Sequence, residues 1–508
     1  MRWVFLTILI ISCANIQRRF YKPSNPELKI LNKTTIKVHM KTIKVHMKSG
    51  EVYVLKSWNV LDNKTLEGYG KFYSVDRKNS SEGNFSIPID SIAIIEANFV
   101  PSPSINPLSM LLIPLAVEIA IWISCQSNPK ACFGSCPTFY VQDGDSMKLK
   151  AEGFSSSIAP ALEADDIDAL IGLKSMNGEI EIEMRNEAWE THVVRYVDLL
   201  IVPRNGKSVF FSEDGKFYRV NNHILPKRVE CPQEKDKCDL ILNMDGKEWF
   251  SLADDKDLGS REEIELEFDI EGGKNYALVV GRRQTLLPTF LFYQTLAYMG
   301  DNVGELISKL GRSEEAQSKF KNLVDKITSI EIFVRDGKGW KRVGVIHGEG
   351  PLAIDYTLLP IGEIKENNLR VKLVMTKGAV RIDYISLVEL GEEVEPIRIK
   401  PYAVIYQGKE SDSALSLLLS ENDYLVTLPG DVYKIKYRVP EGDYEFFLKA
   451  RGYYLEWMRK EWMKEKNMAM FWEIILRPEI ALRKLAPVYK RMEGQMEDLF
   501  WRSKYAKP

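Results

Sequence analysis

The sequence predicts a mainly β chain with added helices, divided into several domains. Three observations carry that reading. Its 508 residues exceed what a single hydrophobic core supports. Period-two alternation of apolar and polar residues recurs in short runs from residue 179 to 280 and again from 330 to 390, bounded by Gly, Pro, Asn and Asp. Helical spacing is confined to 286–327 and to the C-terminal 451–508.

Composition narrows the function classes. At 45% hydrophobic and 28% charged residues the chain is globular and not disordered. Lys plus Arg (69) almost cancels Asp plus Glu (71), which leaves no electrostatic footprint for nucleic acid. Five histidines give few ways to build a zinc site or a general base.

Taken in order, residues 1–13 read MRWVFLTILIISC: one positive charge at Arg2, then an apolar run too short to span a bilayer. Ile10-Ile11-Ser12-Cys13 resembles a bacterial lipobox, with Ile10 where that motif usually has Leu. The resemblance implies cleavage before Cys13 and lipidation of its sulfur, hence an extracytoplasmic protein of the cell envelope anchored to a membrane. A plain secretory signal and an uncleaved anchor are the alternatives. Residues 14–34 then form a polar tether.

Residues 35–100 predict a small β domain. TIKVHMK occurs twice in tandem, at Thr35–Lys41 and Thr42–Lys48. In one continuous strand Ile36, Val38 and Met40 would face opposite to Ile43, Val45 and Met47, so one copy alone can bury its set. The second copy is the better hairpin partner for Val52–Leu55, and the first is an unpaired extension or is accommodated by a bulge near Lys41. Duplication explains His39 and His46 without a metal. Further strand-like runs at 68–73, 86–88 and 91–95 make a meander of about five strands, compatible with a small open barrel.

Residues 101–125 are a Pro-marked linker and an apolar segment. Leu108–Ser124 is apolar except for Glu118 and contains Pro114. An ionisable residue at mid-depth argues for a helix buried in protein or lying on the membrane, with a span as the alternative.

Residues 126–285 predict a β-rich domain. It opens with a hairpin that turns at Asp143-Gly144-Asp145, with Phe139 and Val141 alternating in and Met147 and Leu149 alternating out. Cys125, Cys132 and Cys136 lack the knuckle spacing of a zinc site, and Cys231 and Cys238 enclose a short polar loop. Disulfides are expected, with Cys231, Cys238, Cys132 and Cys136 as candidates. Glu163, Asp165, Asp166 and Asp168 read as a solvated helix start, since the oxygen spacing of a calcium loop is absent. Strands are expected at 180–184, 193–202, 209–211, 217–220, 264–270 and 276–280. His192 and His223 have no nucleophile motif beside them.

Ser135-Cys136-Pro137-Thr138, Tyr140 and Asp143-Gly144 resemble an uncharacterised group of bacterial envelope lipoproteins. That resemblance implies an apolar segment followed by a β-rich region, and brings no activity with it.

Residues 286–327 predict a helical insert, with Ala316, Phe320, Leu323 and Ile327 on one stripe. Residues 328–392 predict a β-sandwich. Its GWKRVGVIHGEGP element and closing strand RIDYISLVEL resemble the galactose-binding-like jelly rolls, which implies an envelope glycan as ligand class with Trp340, His347 and Asp383 as candidate contacts. Core packing or strand-end solvation is the plainer account of those three. Residues 393–450 add a β extension. The tail 451–508 reads as helices with stripes at Leu455, Met458, Trp462 and at Tyr489, Met492, Met496, Leu499, broken by Pro478 and Pro487.

No Walker, G-x-G-x-x-G, G-x-S-x-G or H-E-x-x-H pattern occurs, so no catalytic residue, cofactor or metal ligand is assigned. The expected function is a membrane-anchored envelope lipoprotein with a non-catalytic binding or scaffolding role. The alternatives are an envelope glycan hydrolase, whose two acids would come from distant loops, and a subunit of an envelope assembly that uses the helical tail to meet a protein partner.

Overall fold

The structure is a computed structural model. It describes residues 17–21, 43–47, 51–61, 64–73, 80–99 and 136–502, apart from 145, 189, 233–234, 301–312, 338, 421, 428–429 and 457–464. Cys13, the first TIKVHMK copy, the apolar segment 108–124, Cys125, Cys132, Met458 and Trp462 lie outside the described residues.

The chain is mainly β, with helices concentrated after residue 286. The second heptapeptide copy forms the strand Ile43–Met47 and buries Ile43, Val45 and Met47, as the face argument requires. It lies between Val52–Leu61 and Ile92–Phe99 in a sheet of six strands. One edge strand, Gln17–Tyr21, comes from the stretch expected to be a polar tether; its backbone pairs with Ile92–Phe99. Val52 packs against Val193, Tyr453 and Leu455 of the next unit.

Two sandwiches follow, and their strands are grouped differently from the sequence segments. In the first, one sheet runs Lys409–Glu410, Ala403–Tyr406, Val432–Arg438, Glu179–Arg185, Thr138–Asp143, Ser146–Glu152. The other contains Ile397–Ile399, Glu190–Pro203, Tyr444–Glu456 and Ala164–Ala169. Phe139, Val141, Ile182, Leu199, Ile435 and Leu448 fill the space between them. The segment 393–450 is therefore half of this sandwich and not an extension. The hairpin turns where expected, at Gly144 with φ +60, a conformation that glycine adopts without steric cost.

The second sandwich recruits strands from 208–284 to complete 328–392. One sheet contains Ser208–Ser212, Phe217–Ile224, Asp355–Ile364, Lys274–Gln284 and Val380–Val394, and the other Arg261–Asp269, Asn368–Thr376, Ile330–Asp336 and Gly339–Ile346. Leu200, Val202, Val209, Phe217 and Phe447 join the two sandwiches in one apolar cluster.

Five helices are used below: α1 (Leu286–Met299), α2 (Glu314–Thr328), α3 (Asp412–Leu419), α4 (Met468–Leu476) and α5 (Pro478–Arg502). Leu455 belongs to the strand Tyr444–Glu456 and not to a helix. Pro478 opens α5, while Pro487 sits inside it. Pro487 faces solvent, and Leu485, Ala486 and Tyr489 hold both halves against the core, which offsets the lost hydrogen bond. α5 docks on the second sandwich through Glu497, which is paired with Arg381 at 2.7 Å, and through Lys490, which donates to Ala253 O at 2.8 Å. Among the described residues no helix is long and apolar enough to cross a membrane.

Among the described residues Cys231 and Cys238 are bridged, with Cα atoms 6.0 Å apart across the polar loop. Cys136 corrects the expectation: it is a free thiol, buried among Ile158 and Tyr454.

Candidate functional site

The acidic run expected to be a solvated helix start is instead the strand Ala164–Ala169, paired with Tyr444–Glu456. Strand alternation puts Asp166 and Asp168 on one face and Asp165 on the other. Asp165 turns outward to Lys449 (2.8 Å) and Arg451 (3.0 Å). Asp166 and Asp168 turn toward the second sandwich, and Asp168 is only 4% exposed.

Four other elements bring acids to the same junction. Glu152 ends the strand Ser146–Glu152 and is 4% exposed. Its Oε2 accepts from the Leu352 amide at 2.7 Å, while its Oε1 has no hydrogen-bond partner among the described residues. Glu349 comes from the HGEGP loop, Asp355 from the start of the next strand, and Glu213 from the turn after Ser208–Ser212. Gly350 lets the loop approach this acid: a Cβ at that position would lie 2.1 Å from the Glu152 carboxyl carbon and would push that side chain aside.

Arg282 is the cation of this cluster, 2% exposed. It donates to Asp355 Oδ2 and Thr357 Oγ1, each at 3.0 Å, and to His347 O at 2.6 Å. Glu349 and Glu213 lie 3.5 and 3.7 Å from it. One guanidinium cannot balance six neighbouring carboxyls, so several hold protons. Burial raises the Glu152 carboxyl to about 7. Burial, and then the neighbouring carboxylates, raise Asp166, Asp168 and Glu349 as well. The Cys136 thiol beside Glu152 is pushed well above its usual range, chiefly by burial and secondarily by nearby carboxylates, which makes it a poor nucleophile.

Of these groups Glu152, Asp166 and Glu349, together with Cys136, line a cavity of about 540 Å³, within the range of small-molecule sites; Asp168, Glu213, Arg282 and Asp355 lie behind them. Glu152, Asp166, Glu190, Glu349, Tyr293 and Tyr454 supply polar lining. α1, α2, α4 and α5 supply apolar walls, among them Leu291, Phe292, Leu323, Ile327, Ile474 and Leu485. Glu190 is fully buried and lies 2.6 Å from His192 Nε2. The Tyr293 hydroxyl bonds Glu456.

Of the three residues read as glycan contacts, His347 alone lines this cavity. Trp340 lies on the other sheet with Lys372 Nζ 4.9 Å from its ring centroid. Asp383 is fully buried, accepting from the Gly246 amide at 2.7 Å and the Tyr356 hydroxyl at 2.6 Å. Those bonds make Asp383 a packing residue. Glu349 was missed although it stands two residues from His347; an acid between two glycines at a strand end was the available signal.

Neither a family model nor a curated protein matches this chain. Among solved structures it is similar to the secreted serine protease VesC from Vibrio cholerae, at 7% identity over 71% of this chain and 74% of that one, TM-score 0.15. It is also similar to the GH31 alpha-xylosidase (Xac1773) from Xanthomonas citri, at 7% identity over 83% of this chain and 38% of that one, TM-score 0.15. Similarity this low carries no argument about function.

Proposed function

We propose that this protein is a membrane-anchored, extracytoplasmic binding protein that holds a small ligand in the junction cavity without transforming it. The observation that carries the reading is the cavity itself: apolar helical walls over a floor of buried polar groups, one of them, Glu152 Oε1, making no well-aligned hydrogen bond among the described residues. A few convergent polar groups in an apolar pocket fix the orientation of a ligand. The anchor rests on Ile10-Ile11-Ser12-Cys13, and the Cys231–Cys238 bridge suits an oxidising compartment. The test is native mass spectrometry of full-length protein extracted from membranes, followed by thermal-shift titration with any small molecule found. A tightly held species that raises the melting temperature supports the reading; protein that carries nothing and responds to no ligand opposes it.

One observation favours a second reading. Carboxyls raised to about 7, as Glu152 and Asp166 are at one cavity wall, suit the general acid of glycoside hydrolysis. Release of a sugar from an envelope glycan, lost in Asp166→Asn, would replace the first reading with this one.

A further inference from the structure

The charge of the cavity lining is one-sided. Glu152, Asp165, Asp166, Glu190, Asp325 and Glu349 are its acidic lining residues, Asp165 with its carboxylate turned away, and no lysine or arginine is among its described lining residues. Asp165 is already paired with Lys449 and Arg451, and Asp325 lies 3.7 Å from His347 Nδ1. Glu152, Asp166 and Glu349 remain at the base, with Arg282 reaching Glu349 at 3.5 Å and bonding Asp355 more closely. Glu152 is the informative member, because it is 4% exposed and its Oε1 makes no well-aligned hydrogen bond among the described residues, with only the weak Cys136 thiol donor and the Ala353 amide beside the carboxyl. A buried carboxylate oxygen left in that state is costly unless a donor reaches it.

Aromatic rings surround the same base. Phe154 lines the cavity, and its amide bonds the Asp166 carboxylate. Tyr454 and Tyr293 line it too, and Phe292 meets Tyr293 edge-on with ring centroids 5.1 Å apart. Carboxylates with aromatic faces form a combination that attracts an ammonium group by charge and by the ring quadrupole. Above this base the walls are apolar. Among the described residues no group of His, Cys, Asp and Glu is arranged to hold a metal, so an organic cation suits the site better than a metal ion.

We infer that the cavity takes an amphiphilic amine, with its ammonium head on the Glu152–Asp166–Glu349 base and its apolar body between α1, α2, α4 and α5. This rests on the reading of the cavity as a binding site. The head displaces no metal and forms no covalent bond; its N–H groups donate to Glu152 Oε1. An anionic amphiphile of equal length is excluded by the same carboxylates.

The experiment is isothermal titration of the full chain at pH 8.5, above the raised value of about 7 at Glu152 and where an alkylammonium keeps its charge, with four probes of equal chain length, each below its micellar concentration. These are n-octylammonium, n-octanol, octyl β-glucoside and octyl sulfate. Octylammonium is expected to bind at least about tenfold more tightly than octanol, and octyl sulfate not measurably. Glu152→Gln keeps the side-chain shape, and should bring octylammonium down to the level of octanol while leaving octanol binding unchanged. A merely structural role for Glu152 would weaken both probes together. Binding of octanol or octyl glucoside without an ammonium preference overturns the ligand class and leaves the binding reading intact. No binding by any probe removes both, and release of glucose from octyl glucoside replaces binding with hydrolysis.

Discussion

Glu152→Gln also predicts a pH-dependent gain in stability. The wild-type carboxyl is held by burial at about 7, against an ordinary value of 4.5. The folded state therefore binds this proton more tightly than the unfolded chain. Below pH 4.5 both states are protonated and the group is neutral in its effect. From 4.5 to 7 the unfolded chain ionises first, so stability falls as pH rises, and above 7 the full cost stands. At about 1.4 kcal/mol for each tenfold in proton affinity, that cost is about 3 kcal/mol. Glutamine does not ionise, and its carbonyl still accepts from the Leu352 amide, less strongly by about 1 kcal/mol. The variant should thus be about 2 kcal/mol more stable than wild type at pH 8 and no more stable at pH 4.5. With a urea slope of about 3 kcal/mol/M, the midpoint at pH 8 moves up by roughly 0.7 M. Urea unfolding of both proteins across pH 4.5–8, followed by tryptophan fluorescence, measures this. A midpoint difference that does not change with pH would refute the placement of Glu152 in a buried acidic junction.

Three further outcomes follow from the same structure. Arg282→Met removes the guanidinium that contacts Asp355, Glu349 and Glu213, and should cost about 3–5 kcal/mol in urea unfolding at neutral pH, with part of the loss recovered in acid as the carboxyls protonate. Replacing both Cys231 and Cys238 by Ser releases a short loop and should cost about 2–3 kcal/mol without changing far-ultraviolet circular dichroism, while unreduced peptides of wild type show the pair bridged. Cys13→Ala should abolish incorporation of labelled fatty acid and release the protein from the membrane fraction; equal labelling of both forms would end the anchoring proposal.

Much of the architecture was legible because strands announce themselves by alternation. Ile180–Met184, Val193–Val202 and Ile264–Asp269 lie in strands, and the face argument picked Ile43, Val45 and Met47 correctly. Partnership was not legible. Glu179–Arg185 pairs with Val432–Arg438, roughly 250 residues away, and alternation says nothing about which run completes which sheet. The acids of the site were hidden for a related reason. Ala164–Ala169 carries three aspartates in six residues, and such a run reads as solvated unless a second sandwich closes over it. Trp340 and Asp383 attracted notice as ligand-type residues, yet one lies beside Lys372 and the other is consumed by Gly246 and Tyr356. Long-range closure, which local sequence does not encode, made the site from Glu152, Asp166, Arg282 and Glu349.

The central claim, that the junction cavity is where a ligand binds, is tested most directly by hydrogen exchange with site resolution. Full-length protein would be compared with and without the tightest-binding octyl probe, and its peptides followed by mass spectrometry. Slowed exchange at 152–166 and 347–353, with 330–346 unchanged, is the expected pattern, because the first two segments line the cavity and the third does not beyond its end. Protection confined to the surface around Trp340, or to the small N-terminal sheet, would contradict the account.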